Sequence, residues 1–132
     1  QDAQANVAGA GVALDVRCGD AAEPEAFADV VPVDLLLLVG IFGNVTDDDV
    51  ATTIRAVPAI CRSGATGIWT RHRREPDLTP RIRQWFEEAG CTPIDSFSPG
   101  PASFAVASER FNGGGPAQAL PARLFTFRDD LW

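Results

Sequence analysis

The sequence predicts an α/β protein in which strands alternate with helices. An apolar run from Leu35 to Gly40 follows Asp34 and ends in a Gly/Asn turn, which is typical of a strand buried on both faces. Directly afterwards, Thr46 and the carboxylates of Asp47 to Asp49 mark the first turn of a helix. Because ligands of open α/β sheets bind where strands end, we place the functional site around Gly40 to Asn44.

Composition limits the size of the protein and its partners. With 132 residues and 45% hydrophobic content, the chain fits one domain spanning residues 1–132. The net charge of −7 argues against a nucleic acid as the main partner, since phosphate binding requires surplus Lys and Arg. The sequence has no Met, so Gln1 is not a translation start. We therefore expect a processed product or a fragment.

Cysteines and hydropathy favour a cytoplasmic protein without a membrane anchor. Cys18, Cys61 and Cys91 are widely spaced, which predicts reduced, mostly buried thiols rather than disulfides or a zinc site. No apolar run approaches the roughly 20 residues that a membrane span needs. No signal peptide is visible either.

The first half of the chain predicts two strands and a helix. Gly11 to Asp20 alternates apolar and polar residues, which predicts a half-exposed strand near a sheet edge. One helical turn around Glu25 to Ala28 precedes the strand Asp34 to Gly40. A helix then runs from Asp47 to Pro58, and Arg62 to Gly64 form a turn.

The second half predicts a buried strand, a helix and a group of further strands. Ala65 to Thr70 reads as a strand, and a helix begins at Thr79 as its cap and ends at Gly90. The remaining strands are expected at Cys91–Phe97, Ser103–Phe111 and Leu124–Phe127.

A polar loop is predicted after the second buried strand. His72, the only histidine, lies there among Arg71, Arg73 and Arg74. The histidine could be a general base for an acceptor nucleophile, and the arginines could bind an anionic acceptor. A solvated charge run is the alternative. The acids Asp47 to Asp49 need no metal, because a helix N-terminus explains them.

These segments, in this order, resemble the second half of class I S-adenosylmethionine-dependent methyltransferases. The resemblance covers residues 11–111. It depends on Gly19-Asp20-Ala21, on the acid-led strand with its Gly/Phe/Asn turn, and on Arg-Ser-Gly before Thr-Gly-Ile-Trp-Thr. The Trp-Thr-Arg-His-Arg-Arg and Asp-Leu-Thr-Pro segments resemble those of a bacterial subgroup of this family.

The resemblance implies a Rossmann-like sheet that is mostly parallel, with an antiparallel C-terminal strand, and S-adenosylmethionine as the cofactor. The family's Gly-rich turn and ribose-binding acid are not identifiable in the sequence. Leu14 to Gly19 is a poor substitute, because only 13 residues separate Asp20 from Asp34. We therefore expect a domain that lacks its first strands and helices.

The resemblance also implies roles for five cofactor-binding residues. Asp20 matches the acid that hydrogen-bonds the adenine amino group, with the Ala21 amide beside it; a local turn is the alternative role for Asp20. Gly40, Ile41 and Phe42 match the segment that passes under the cofactor, with buried core as the competing interpretation.

For the acceptor, the implied residues are Asn44, Arg71, Arg73 and Arg74, with His72 as the catalytic residue. Asn44 could instead serve as a cap. Two function classes follow: a methyltransferase acting on a small-molecule acceptor, or a non-catalytic Rossmann-like module within an assembly.

The family's strand order, 3-2-1-4-5-7-6, yields a last expectation. Strands 1 and 2 would lie between Gly11–Cys18 and Asp34–Gly40, so their absence exposes the most apolar strand. We expect the Gly11–Cys18 strand to pair there directly, or a second chain, as in a homodimer, or a missing N-terminal segment to cover it. A bare edge at Leu35 to Val39 in a monomer would contradict this expectation and the assignment to a methyltransferase domain.

Overall fold

The computed structural model describes residues 11–99, 103–113 and 119–129. Four strands and three helices are present in these ranges, besides a short 3-10 helix at Pro24–Ala26. The strands are β1 (Val33–Leu38), β2 (Cys61–His72), β3 (Cys91–Phe97) and β4 (Phe104–Phe111). The helices are α1 (Asp47–Arg55), α2 (Val57–Ile60) and α3 (Thr79–Glu88).

The strands form one mixed sheet in the order β1-β2-β4-β3. β1 and β2 are parallel, and β4 is antiparallel to both of its neighbours, β2 and β3. Three strands therefore run in one direction and only the last one in chain order is reversed. This confirms the predicted antiparallel C-terminal strand, and the order corresponds to 4-5-7-6 of the expected arrangement.

Helix α1 begins where the sequence predicts it. The Thr46 hydroxyl accepts a hydrogen bond from the Asp49 N–H at 3.2 Å, and three acids occupy the first turn. Val50 and Ile54 are fully buried, as the apolar spacing requires. The helix ends at Arg55, and Pro58 lies within the next short helix, α2.

One face of the sheet, which we call the covered face, carries the hydrophobic core. Trp69 of β2 and Phe86 of α3 are buried there and stack with ring centroids 6.1 Å apart. The Phe42 ring lies beside both, with its centroid 6.3 Å from that of Trp69 and 6.4 Å from that of Phe86. Aromatic contacts thus join the sheet, α3 and the turn after β1.

The opposite face, which we call the bare face, includes Leu35, Leu37, Ile68, Val106 and Phe97. Strand register places these residues together, since Leu37 pairs with Ile68 and Val106 pairs with Phe97. Leu35, Leu37 and Phe97 are 54%, 56% and 63% exposed. The prediction that the central strand is buried on both faces is therefore wrong, because no described element covers this side.

The edge of the sheet at β1 is also uncovered within the described ranges. Residues 11–20 form no strand and are exposed, so the predicted strand there is wrong. No described strand lies beside this segment to form backbone hydrogen bonds with it. Direct pairing of this segment with β1 is wrong as well. Because this edge is bare, the expected cover of β1 does not support a methyltransferase assignment, and that assignment must depend on other observations.

Three further predictions need correction. Arg62 to Gly64 belong to β2, at an irregularity in its register with β1, rather than to a turn. Thr79 does not cap α3; instead the Asp77 carboxylate accepts hydrogen bonds from the Thr79 N–H and hydroxyl at 3.0 and 2.7 Å. Leu124 to Phe127 form no strand, although Leu124 and Phe125 are buried in the core.

The cysteines agree with the prediction of mostly buried thiols. Cys61 and Cys91 are buried and Cys18 is exposed, all three free. Burial raises the pKa of Cys61 to about 11 and that of Cys91 to about 12. Among the helices of the described ranges, none is long and apolar enough to cross a membrane.

Candidate functional site

A cavity of about 230 Å³ lies at the carboxyl ends of β1 and β2. It brings together four of the residues that the sequence assigns to the acceptor and its catalysis, and one assigned to the cofactor. The lining residues are Gly40, Gly43, Asn44, Thr70, Arg71, His72, Arg74 and Phe104. The predicted position of the site, around Gly40 to Asn44, thus coincides with a cavity.

The turn after β1 shapes one wall of this cavity. Gly40 has a φ of +74°, and no atom lies within 4 Å of an added Cβ, so backbone conformation and not close approach requires glycine there. The Gly40 N–H donates to the Thr70 hydroxyl at 3.1 Å. The Asn44 side chain donates to the Gly40 carbonyl at 2.7 Å, which closes the turn. Contact between Asn44 and substrate stays a prediction.

Arg71 lies beneath the turn, near the end of β2 rather than on a loop. Its side chain is only 9% exposed and is 3.8 Å from the Asp47 carboxylate. One guanidinium nitrogen donates to the Phe42 carbonyl at 3.0 Å, whereas the buried Nε has no partner. Burial lowers the pKa of Arg71, and Asp47 opposes this shift. The side chain is therefore a fixed positive charge.

His72, the last residue of β2, packs against the turn. A Cβ added at Gly43 would lie 2.9 Å from its Cδ2 atom, so Gly43 makes room for the imidazole. Burial lowers the pKa of His72, Arg71 and Arg74 lower it further, and Asp77 opposes them. The ring is therefore neutral at pH 7, as the hypothesis of a general base requires.

The tautomer of His72 favours a different role. Its Nδ1 atom is buried and has no hydrogen-bond partner. A proton on Nδ1 would be a buried, unpaired donor, so the neutral ring favours the proton on Nε2. In that state Nε2 donates a hydrogen bond and cannot accept a proton.

The arginines that the sequence groups together separate in the structure. Arg73 forms an ion pair with Asp77 at 3.0 Å and donates to the Ser98 hydroxyl at 3.0 Å. It does not line the cavity, whereas Arg74 does. Arg71 and Arg74 thus remain the candidates for acceptor binding, and Arg73 has a structural role.

Asp20, the residue assigned to adenine, is engaged locally. Its carboxylate accepts from the Ala22 N–H at 3.0 Å and pairs with Arg123 at 2.8 Å. These contacts lower the pKa of Asp20. This is the turn role that the sequence left as an alternative. The carboxylate is still partly exposed, so adenine binding by Asp20 stays a prediction.

The other cofactor residues lie apart from the arginines, except for Gly40. Ala21 and Ile41 line a second, apolar cavity of about 230 Å³ beside β1. Phe42 is fully buried, so its ring is part of the core and offers no surface to a ligand. Burial of the Phe42 ring agrees with the competing interpretation of this residue as core, and its contact with a cofactor stays a prediction.

Two cavity residues, Thr70 and Phe104, are not among the residues that the sequence assigns to the site. Thr70 is expected only as the end of a strand, whereas Gly43 lies within the predicted range Gly40 to Asn44. Phe104 lies opposite His72 because the two pair across β2 and β4. No local pattern signals that contact, since it depends on antiparallel register.

Comparison with known proteins identifies the fold. No protein-family model matches the chain, and no curated protein matches it. Among solved structures it is similar to the Methanococcus jannaschii fibrillarin pre-rRNA processing protein, with a TM-score of 0.55 and 18% identity. The match covers 72% of this chain and 44% of that one, so this chain corresponds to less than half of its neighbour.

This likeness, together with the strand order, gives the chain a class I methyltransferase-like fold. At such low identity the comparison identifies the fold alone. Activity, acceptor, location and assembly require separate arguments.

Proposed function

We propose that the chain is part of an S-adenosylmethionine-dependent methyltransferase that acts on a small-molecule acceptor. The strand order β1-β2-β4-β3, with β4 reversed, carries this proposal, because it corresponds to 4-5-7-6 of the order implied by the resemblance. The cavity at the carboxyl ends of β1 and β2 lies where α/β sheets bind ligands.

The cofactor would supply an activated methyl group. Its apolar parts fit the cavity lined by Ala21 and Ile41, and Gly40, the sequence neighbour of Ile41, lines the cavity of the arginines. The partly exposed Asp20 carboxylate, which already accepts from Ala22 and Arg123, keeps acceptor sites that fit an adenine amino group. The chain thus accounts for part of a cofactor site.

The chain's contribution to methyl transfer would be orientation of the acceptor. Holding two reactants in line supplies a large part of the rate enhancement of such a reaction, and little base strength is needed. Arg71, Arg74 and His72 surround the cavity, and Gly43 fixes the position of the imidazole. His72, proposed from sequence as the base, acts in this view as a donor that positions the acceptor.

A non-catalytic Rossmann-like module is the second candidate. The internal contacts of Asp20 and the complete burial of Phe42 favour it, because the Asp20 carboxylate already has two partners and the Phe42 ring has no surface for a ligand. This module would function within an assembly, with a second chain or a further segment beside β1.

The decisive experiment uses the protein as its gene encodes it, incubated with methyl-labelled S-adenosylmethionine and pools of small-molecule acceptors. Transfer of label is expected, and His72→Ala should lower turnover while cofactor affinity stays nearly unchanged. Failure of the complete protein to bind the cofactor in calorimetry would favour the non-catalytic module. The chain of residues 1–132 alone should bind the cofactor weakly or not at all; micromolar binding would show that no further segment is needed.

A further inference from the structure

The cavity at the ends of β1 and β2 is cationic, although the chain as a whole is acidic. Two guanidinium groups line it, those of Arg71 and Arg74, and no carboxylate is among its lining residues. The formal net charge of the chain is −7. A local surplus of positive charge on an acidic protein indicates a ligand of opposite charge.

The nearest acids do not neutralise this cavity. Asp47 approaches only Arg71, at 3.8 Å, and its own side chain is largely exposed. Asp77 faces both Arg71 and His72, but it already binds Arg73 and the Thr79 N–H and hydroxyl. No ion pair of Arg74 is found among the described residues.

The side chains of Arg71, His72 and Arg74 complement one another as an anion site. Arg71 is a fixed charge, held by the Phe42 carbonyl beneath the turn. Arg74 lines the cavity and can move toward a ligand, because it is exposed. His72 presents Nε2 as a donor, since its Nδ1 is buried without an acceptor.

We propose that this cavity binds a carboxylate or phosphate group of the acceptor, which Arg74 and the Nε2–H of His72 contact above the fixed charge of Arg71. The acceptor is therefore a small anionic molecule. The assignment of this anion to the methyl acceptor rests on the proposed function, whereas the anion site itself does not.

A nucleic-acid backbone is the less favoured source of phosphate. Binding to a polyanion requires several basic residues along a surface, and this cavity has two arginines on a chain with surplus acid. A short RNA oligonucleotide is nevertheless included in the test.

The test uses His72 as the reporter, because the chain has a single histidine and its ring proton signals need no assignment. The pKa of His72 is measured by NMR in chloride, sodium acetate and sodium sulfate at one ionic strength. Acetate represents a carboxylate and sulfate a phosphate. Because a bound anion stabilises the imidazolium, the pKa of His72 should rise saturably with one of the two.

The variant Arg74→Gln should weaken this anion binding at least about tenfold, because the loss of one hydrogen bond between charged groups changes affinity by about that factor. Arg55→Gln is the matched control, because Arg55 is an exposed residue on α1, outside the cavity, and its loss changes net charge equally. His72→Gln, with a side-chain amide as donor, should retain anion affinity in calorimetry, whereas His72→Ala should lose it.

A pKa of His72 that is the same in all three salts overturns the proposal. So does a rise that Arg74→Gln and Arg55→Gln change equally, because that result indicates general screening. Saturable binding of the RNA oligonucleotide without binding of acetate or sulfate would replace the proposal with a nucleic-acid site. None of these results depends on cofactor binding, so the anion site and the methyltransferase proposal can fail separately.

Discussion

The two faces of the sheet are built from the same apolar strands but have different surroundings. On the covered face, Trp69 of β2 and Phe86 of α3 are buried and stack on each other. On the bare face, Leu35, Leu37 and Phe97 are each more than half exposed. The difference shows that the apolar pattern of a strand indicates which faces can be buried, and that the described residues supply helices for one side of the sheet.

The largest expected effect comes from a matched pair of phenylalanines. Phe86 is 1% exposed on the covered face and Phe97 is 63% exposed on the bare face. Phe86→Ala should cost about 3–5 kcal/mol in the free energy of unfolding, because it leaves a cavity between aromatic rings. Phe97→Ala should change it by at most about 0.5 kcal/mol.

Urea denaturation measures both values. Equal losses of stability in the two variants would mean that the bare face is buried in solution, and the two faces would then not differ in burial.

The covered face also contains an ionisable group that opposes stability. Glu109 is buried, neither carboxyl oxygen has a hydrogen-bond partner, and the nearby Trp69 N–H does not reach bonding geometry. Burial raises the pKa of Glu109 above 4.5, and Arg83 opposes the shift. The folded protein thus binds the proton more tightly than the unfolded one, and stability falls as pH rises from about 4.5 through the folded-state pKa.

Glu109→Gln should therefore raise the free energy of unfolding at pH 7 to 8 by about 1–3 kcal/mol, the cost of a buried group without partners. The gain should shrink as the pH is lowered toward 4. Glu87→Gln, at an exposed position of α3, is the control and should show neither effect. A gain that does not vary with pH would show that the pKa of Glu109 is the same in the folded and the unfolded protein, so that burial does not raise it.

Local signals explain which parts of the fold the sequence could predict. The cap at Thr46 and the apolar spacing of α1 are encoded within a few residues, so the helix was predicted correctly. β3 and β4 were predicted at nearly their observed bounds for the same reason. Within the described residues, the strand order also agrees with the order that the resemblance implied.

Errors occurred where a residue's state depends on distant parts of the protein. Residues 11–20 alternate like a strand, but a strand forms only beside a partner, and none is described there. Leu35 and Leu37 are apolar yet exposed, because burial depends on what covers the face. The contact of Phe104 with the His72 cavity follows from strand register, and no periodicity reveals it.

A smaller effect is expected at the turn that leads from the edge strand to the helix of the covered face. Gly40 has a φ of +74° and open space around an added Cβ, so Gly40→Ala introduces backbone strain without a clash. We expect a loss of about 1–2 kcal/mol in the free energy of unfolding. Gly67→Ala in β2 is the control, because Gly67 has no positive φ and the nearest atom to its Cβ is 4.0 Å away.

Thermal unfolding of the two glycine variants provides this comparison. At a position with compatible backbone, alanine changes stability little or raises it by about 0.4–1 kcal/mol. A Gly67→Ala variant that loses as much stability as Gly40→Ala would show that the loss does not come from the positive φ of the turn.

The smallest change in stability, and the sharpest test of the bare face, is expected for Leu37→Lys. Leu37 projects from an edge strand whose outer backbone groups have no partner strand among the described residues. Such an edge, on the same strand as exposed Leu35, favours association with a second chain, so the protein should sediment as a concentration-dependent mixture of monomer and dimer. A lysine there should shift the mixture to monomer, while the free energy of unfolding changes by at most about 0.5 kcal/mol.

Gln84→Lys is the matched control, because it adds the same charge on an exposed position of α3 and should leave association unchanged. If the unmodified chain sediments as a monomer at every concentration, its apolar edge does not pair with a second copy. The cover for β1 would then have to come from a different polypeptide segment. If both lysine variants dissociate the dimer equally, net charge and not the bare face controls association, and the two faces differ in burial alone.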